Sequence, residues 1–396
     1  METIIALGEQ ALTGIFPKPS DPPIAAGPLT LVRCSDCGLV QLQHSYSLED
    51  LYGAHYGYRS GLNSAMVEHL QRKVQELIAK YPVQPGDLVI DIGANDGTTL
   101  GFYPEEVERV GFDPSAEKFR KYYKPGIKLI TDFFAEDTFR KNFGERKAKI
   151  ITSIAMFYDL EEPQKFVNEV AALLADDGIW HFEQSYLPSM LAANAYDTIC
   201  HEHLEYYGLA QVRRMLQQAG LKLVDVQLND VNGGSFAVTA AKESARVATV
   251  DEHVRKILAD EERLGLDKAE GYNEFVAFVH RHKTELMELL QRLKAEGKKV
   301  LGYGASTKGN VLLQYCGLNT DVLPFIAEVN PDKFGSVTPG TRIPIISEQE
   351  AHAMEPGYFL VFPWHFRANI VEREQPFLQR GGKLIFPLPR IEIVGS

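Results

Sequence analysis

Four stretches of this chain bring together residue types that can do chemistry. Val89 to Gly97 reads VIDIGANDG, an apolar run through Asp91 into a turn holding Gly93, Ala94, Asn95 and Gly97. Glycine lets backbone turn through positive φ and approach a ligand closely, and a helix N-terminus after such a turn attracts anionic or polar groups. The spacing Asp-x-Gly-x-x-x-Gly departs from the dinucleotide fingerprint, so it predicts a nucleotide-like cofactor of another kind. His201-Glu202-His203 places three titratable groups in succession, with Tyr206, Tyr207 and Glu205 close behind. Histidine moves protons near neutral pH, and a neighbouring carboxylate can orient it. On a helix the three would fan round the axis; on a strand the two histidines would share a face. Ser306-Thr307-Lys308-Gly309-Asn310 follows a second strand and glycine turn. These groups suit phosphate oxygens, although the Walker order is absent. Cys34-Ser35-Asp36-Cys37-Gly38 is a knuckle that can direct two thiolates at one zinc. A structural zinc takes four ligands, so the pair fits either a filled site or a vestigial one.

The elements that must position these groups follow a regular order. The strand ending at Asp91 is followed by a helix-like run from Thr98, then by Arg109-Val110-Gly111-Phe112-Asp113, a second strand tipped by an acid suited to ribose hydroxyls. A third strand runs from Lys128 through Asp132, Phe133 and Phe134, an acid and two aromatics suited to an adenine, and Lys149 to Ile154 forms a fourth. This order resembles the core of an S-adenosylmethionine-dependent class I methyltransferase. Tyr158 lies in the loop after the fourth strand. A helix (164–174), a turn at Asp176-Asp177-Gly178 and a strand ending in Glu183 and Gln184 come next, those two side chains being candidates for substrate contact or a solvated strand end. A helix (211–219) and a hairpin through Asn232-Gly233-Gly234 close the core. Upstream, Met66, Leu70, Val74, Leu77 and Ile78 mark an amphipathic helix over 65–80. Residues 50–63, dense in Tyr, Gly, His and Arg, read as a loop over a sugar or aromatic ligand. Downstream, Pro363-Trp364-His365-Phe366-Arg367 at a strand end offers an aromatic and an arginine to clasp a base and a phosphate.

With 396 residues the chain exceeds one ordinary core. We expect an α/β protein with a class I (Rossmann-like) core, a second C-terminal Rossmann-like unit and a small N-terminal zinc-knuckle-like module. The expected divisions are 1–63 (module and loop), 64–245 (core), 246–297 (helical connector) and 298–396 (C-terminal unit). Lys and Arg number 41 against 53 Asp and Glu, a net charge of −12, which argues against nucleic acid or anionic lipid as partner. No long uncharged apolar run marks a membrane span, and Met1-Glu2-Thr3 lacks a basic leader, so the expected location is the cytoplasm. Four cysteines are too few for a disulfide scaffold.

Taken together, Leu7-Gly8-Glu9-Gln10, Cys34 to Leu42, Asp91 to Gly97, His201-Glu202-His203, Gly302 to Asn310 and Pro363 to Phe366 resemble the sugar C-methyltransferases of nucleotide-linked 4-keto-6-deoxyhexoses. The resemblance covers nearly the whole chain. It implies S-adenosylmethionine as cofactor, zinc in the N-terminal module, a small nucleotide-sugar substrate, and a monomer or dimer. It places the proton-abstracting base at His203 with Glu202 beside it, and a catalytic tyrosine at Tyr56 or Tyr58. Cys200 stands where the family often has a tyrosine, and Tyr158 where some members have a histidine. Under this reading His203 removes the C3 proton acidified by the C4 ketone, and tyrosines or His201 stabilise the enolate. Substrate contacts are expected from Tyr158, Glu183, Cys200, Ser306, Lys308, Asn310, His365 and Arg367. The family's first Cys-x-x-Cys precedes Leu-Gly-Glu-Gln, so truncation or loss of the metal is expected here. Two other readings stay open: O- or N-methylation of another small acceptor, and a non-catalytic nucleotide-sugar-binding protein.

Overall fold

Three sheets organise the chain, and each of the stretches above lies at the edge of one of them or between two. The computed structural model describes residues 1–46 and 59–395. The first sheet is antiparallel: β1 (Glu2–Ala11), β2 (Ala26–Arg33), β3 (Val40–Leu42), closed by the short strand Glu205–Tyr206 arriving from the centre of the chain. Ile5, Leu7, Leu29, Leu31 and Val40 on this sheet share one apolar core with Phe275, Val279 and Leu286 and with the C-terminal sheet. The N-terminal sheet therefore packs with the far end of the sequence.

The second sheet contains β4 (Leu88–Ile92), β5 (Glu108–Phe112), β6 (Ile127–Ile130), β7 (Ala148–Ile154), β8 (Leu174–Ser185), β10 (Leu221–Asn229) and β11 (Ser235–Lys242); β9 is the Glu205–Tyr206 strand of the first sheet. Its order is β10-β11-β8-β7-β4-β5-β6, parallel except for β11. Parallel strands covered on both faces need continuous apolar sequence, and every residue of β4 is buried. Alternate side chains divide between two cores: Leu88, Ile90 and Phe112 on one face, Val89 and Ile150 on the other. Helix Ser64–Lys80 covers the second face with Val74 and Leu77. Its start is fixed by Asn63, whose side-chain oxygen accepts from the N–H groups of Ala65 and Met66 at 3.0 and 3.4 Å. Because β4 pairs with β5 on one side and β7 on the other, the crevice at its carboxyl end is the place where such sheets bind ligands.

Some expected elements differ. The helix predicted from Thr98 is only a single 3-10 turn, Leu100–Phe102. Gly101 weakens a helix there, and Pro104 holds Tyr103 extended at φ −76°, ψ 151°. The predicted turn at Asp176-Gly178 is an irregularity inside the longer strand β8, where pairing shifts between Ala148 and Ile150. A Cβ on Gly178 would stand 2.8 Å from the Ala148 carbonyl oxygen, so the close approach needs glycine. The third strand stops at Ile130, before Asp132, Phe133 and Phe134.

Residues between the second and third sheets form two helices, Asp251–Leu264 and Asn273–Ala295. Glu261 on the first caps helix Leu209–Gln218, accepting from the N–H groups of Leu209 and Ala210, and also accepts from the Tyr186 hydroxyl at 2.8 Å. The third sheet contains β12 (Val300–Tyr303), β13 (Ile326–Glu328), β14 (Ile345–Ser347), β15 (Tyr358–Val361), β16 (Lys383–Phe386) and β17 (Glu392–Val394). Its order is β14-β13-β12-β15-β16-β17, parallel but for β17. Among the described residues no helix is long and apolar enough to cross a membrane.

Candidate functional site

The turn after β4 is held by two glycines at positive φ. Gly93 and Gly97 have φ of +71° and +75°. A Cβ on Gly93 would come 3.1 Å from Met156, and one on Gly97 would come 2.8 Å from the Tyr123 ring. Ala94 and Asn95 are buried, and Asn95 takes φ 50°, a strained choice outside glycine. Asp113, at the end of β5, accepts from the Asn95 N–H at 2.8 Å and from the Ser115 N–H and hydroxyl at 2.8 and 2.7 Å. Burial pushes the Asp91 carboxyl up to about 7; hydrogen bonds from Thr152 and Thr99 oppose that shift. Residues 59–61 fold over the loop: Asn95 Oδ1 accepts from the Ser60 N–H and Asp96 from the Gly61 N–H, each at 2.9 Å. The expected aromatic pair separates. Phe134 enters the core edge-on to Phe112 at 5.3 Å, while Asp132 and Phe133 stay exposed. A glycine cradle beside a strand-end acid fits S-adenosylmethionine, whose amino acid and ribose groups Gly93, Asn95, Gly97 and Asp113 would hold.

The second part of the site is the segment after the 3-10 turn Tyr196–Thr198. The His203 N–H donates to the Cys200 carbonyl at 3.1 Å, closing a turn that is neither helix nor strand. His201 and His203 therefore diverge. His201 is fully buried against the N-terminal sheet, Nε2 3.4 Å from the Gly27 carbonyl and its ring edge-on to Tyr46 at 4.8 Å. That placement turns the His201 ring towards the N-terminal sheet. His203 Nδ1 lies 3.0 Å from the Thr198 carbonyl, and its ring is 4.3 Å from that of Tyr158. A carbonyl only accepts, so Nδ1 carries the proton and Nε2 keeps its lone pair. Burial, reinforced by the nearby Lys308 ammonium, pushes the His203 imidazole down to about 3. Glu202 accepts from the Thr13 hydroxyl at 2.8 Å, and burial raises its carboxyl above the ordinary range. Cys200 is fully buried, with its thiol pushed well up by burial. Tyr56 and Tyr58 lie outside the described residues.

The C-terminal unit reaches this site through Lys308, Trp364 and Asn310. Lys308 Nζ donates to the Asn232 carbonyl at 2.8 Å, at the tip of the β10–β11 hairpin. Gly233 in that tip would bring a Cβ 3.3 Å from Trp364, whose indole N–H donates to Asp197 at 2.8 Å. His365 is pushed down to about 3, first by burial and then by Lys308. The other residues expected nearby are engaged with protein partners. Ser306 caps its own helix, accepting from the Gly309 N–H at 3.0 Å, and Asn310 donates to the Thr13 carbonyl at 2.7 Å. Arg367 pairs with Glu392 on β17 at 2.6 Å. Glu183 is buried between His69 at 2.6 Å and Lys73 at 3.3 Å, and accepts from Asn229 at 3.0 Å. Burial alone would raise its carboxyl, but the His69 hydrogen bond and the Lys73 charge outweigh it and hold it at about 2.

Beside Glu183 opens a cleft of about 390 Å³ lined by His69, Arg72, Lys73, Asn232, His365 and Phe366. His69, Arg72, Lys73 and Thr13 were missed in the sequence. The signal for two of them was there: His69 and Lys73 sit beside the apolar stripe of a helix, at positions that point inward. Nothing in the sequence marked Thr13.

Cys34 and Cys37 are free and partly exposed, with the Gly38 N–H closing their turn on the Cys34 carbonyl at 3.0 Å. Among the described residues, no group of three or more His, Cys, Asp or Glu could hold a metal. Two thiolates alone do not fit a four-coordinate zinc.

Family models match three consecutive parts of the chain: "Putative zinc binding domain" over residues 1–52, "Methyltransferase domain" over 66–226 and "C-methyltransferase C-terminal domain" over 230–389. The C-methyltransferase NovU of Streptomyces niveus is 33% identical over 372 residues, covering 93% of this chain and 88% of that one. The chain belongs to the C-methyltransferase family. Among solved structures, the methyltransferase complexed with the Haloferax volcanii Trm112 activator aligns with TM-score 0.38 and 17% identity over 46% of this chain and 93% of that one. Magnesium protoporphyrin IX methyltransferase from Synechocystis PCC 6803 with bound SAH gives 0.35 and 14% over 45% and 84%. As a C-methyltransferase the chain is an enzyme with S-adenosylmethionine as methyl donor and carbon as acceptor, which sets aside the O- and N-methylation and non-catalytic readings.

Proposed function

We propose that this C-methyltransferase alkylates C3 of a nucleotide-linked 4-keto-6-deoxyhexose, with His203 as the base. The observation that carries this reading is the tautomer of His203. With Nδ1 committed to Thr198, Nε2 is the nitrogen left to accept a substrate proton. A proton next to a ketone is acidic enough for such a base once the enolate oxygen is stabilised. The Lys308 ammonium, close enough to depress His203, supplies positive charge where that oxygen or a phosphate would lie. S-adenosylmethionine, when bound at the cradle, supplies the electrophilic methyl group. Tyr158, against the His203 ring, would bound the sugar pocket. The cleft beside His69, Arg72 and His365 leads to Asn232 and Lys308 and would admit the rest of the acceptor. This assignment goes with functional divisions at 1–63, 64–245, 246–297 and 298–396.

The test is mass spectrometry of the enzyme with S-adenosylmethionine and a panel of nucleotide-linked 4-keto-6-deoxyhexoses in deuterated water. We expect one methylated product, with C3 exchange that His203→Ala abolishes while cofactor affinity survives. Methylation that persists in His203→Ala would overturn the base. Tight cofactor binding without exchange or product on any sugar of the panel would overturn the acceptor.

A further inference from the structure

Thr13 and Asn310 join the C-terminal unit to the segment bearing His203. Thr13 follows β1 and is fully buried. Its hydroxyl donates to Glu202 Oε2 at 2.8 Å, and its carbonyl accepts from Asn310 Nδ2 at 2.7 Å. At the next residue, Gly14, a Cβ would stand only 2.3 Å from Glu202 Oε1, so the carboxylate lies directly against the backbone. The Gly14 N–H and the Cys200 thiol turn towards the same carboxylate. One helical turn beyond Asn310, Gln314 brackets Ala11: it accepts from the Ala11 N–H at 2.7 Å and donates to the Ala11 carbonyl at 3.1 Å. Residues i and i+4 share a helix face, so one face of helix Thr307–Cys316 grips residues 11–13.

Glu202 immediately precedes His203 in the turn closed by the Cys200 carbonyl. The imidazole is fixed on one side by Thr198 and on the other by the backbone that Glu202 anchors. Releasing Glu202 would free the peptide units on either side of it and swing Nε2. A displacement of about 1 Å at a reacting group costs on the order of 100-fold in rate.

We infer that Thr13 and Asn310 are positioning residues: the chain Asn310–Thr13–Glu202 aligns His203 when the C-terminal helix is seated on the N-terminal sheet. This rests on His203 being the base. A glycine turn with phosphate-binding residue types thus acts partly through a neighbouring loop.

The test uses the full chain labelled with ¹⁵N-histidine, and the variants Thr13→Val, Thr13→Ser and Asn310→Leu. Long-range ¹H–¹⁵N spectra report the tautomer of His203, assigned with His203→Gln, whether or not an acceptor is known. In the unmodified protein His203 should show one tautomer, protonated at Nδ1. Thr13→Val and Asn310→Leu should give mixed tautomers and, on a ketosugar substrate, a kcat lower by about 10- to 100-fold at little-changed KM for S-adenosylmethionine. Thr13→Ser should restore both. His203 signals unchanged in Thr13→Val, whatever its melting temperature, would reduce Thr13 to a stabilising role and overturn the inference. A Thr13→Ser protein as impaired as Thr13→Val would do the same. Should Thr13→Val fail to fold, Thr13→Ser and Asn310→Leu still decide. Lack of turnover by the unmodified enzyme would count against the proposed acceptor, and the spectra would still judge the chain.

Discussion

The two glycine turns of this enzyme are built alike and used differently. Each follows an interior strand of a mostly parallel sheet, β4 or β12, and each gives a backbone N–H to an acid at the end of the next strand. Asn95 donates to Asp113 at 2.8 Å, and Ala305 donates to Glu328 at 2.9 Å. Beyond that the environments part. The first turn is bordered by the Met156 and Tyr123 side chains. The second is bordered by Pro363 and Phe362 and by a lysine. A Cβ on Gly304 would strike Pro363 at 2.6 Å and one on Gly309 would strike Phe362 at 2.8 Å, while Lys333 donates to the Ala305 carbonyl at 2.7 Å. Glu328 also accepts from the Val329 and Asn330 N–H groups. Under the proposed function the first turn receives the cofactor, whereas the helix after the second docks on the N-terminal segment through Asn310 and Thr13.

Equivalent substitutions in the two turns should have different consequences. The largest effect is expected from Gly97→Val, which combines a φ of +75° with a clash against Tyr123. It should weaken S-adenosylmethionine binding by about 100-fold or more in calorimetry. Gly304→Val should cost stability of about 1–3 kcal/mol in a denaturant titration, with cofactor affinity kept. Comparable cofactor loss in both would erase the distinction. Next in size, Asp113→Ala should weaken cofactor binding by about 10-fold. Glu328→Ala should instead lower the melting temperature, because it strands three backbone donors.

A smaller effect is expected from Lys308→Met. Its ammonium helps hold the His203 imidazole low, so removing it should raise that pKa towards the ordinary range. The acid limb of kcat/KM should then move to higher pH, and an unmoved limb would separate Lys308 from the base. A further effect, confined to alkaline pH, concerns Glu205 in β9, raised to about 9 by burial and by the charges of Asp159 and Glu161. A carboxyl raised on folding gives full stability below its unfolded pKa and loses it as pH climbs through the folded value. Glu205→Gln should therefore melt like the unmodified protein near about pH 4 and progressively higher towards about pH 9.

Much of the central sheet was legible because parallel strands buried on both faces must be continuously apolar, as Leu88–Ile92 and Ala148–Ile154 are. Local backbone demands were legible too, as at Gly93, Gly97 and the Asn232-Gly234 hairpin. Sequence misjudged places where pairing overrode composition: Asp176-Asp177-Gly178 reads as a turn, yet its backbone continues β8 past a register shift. It also grouped residues that space separates. His201 and His203 are two positions apart but face different layers, and Phe133 and Phe134 are adjacent but divide between solvent and core.

By itself, then, the sequence determined the family, the strand–turn pattern at Gly93 and Gly97 and the identity of the titratable groups, since these depend on residue type and short-range spacing. Only the tertiary structure decided which of those groups meet. Lys308 reaches the hairpin tip at Asn232, and Asn310 reaches Thr13, 297 positions away in the chain. The physical reason is that a hydrogen bond or a charge acts over a few ångströms of space. That separation is set by how three sheets pack around shared cores.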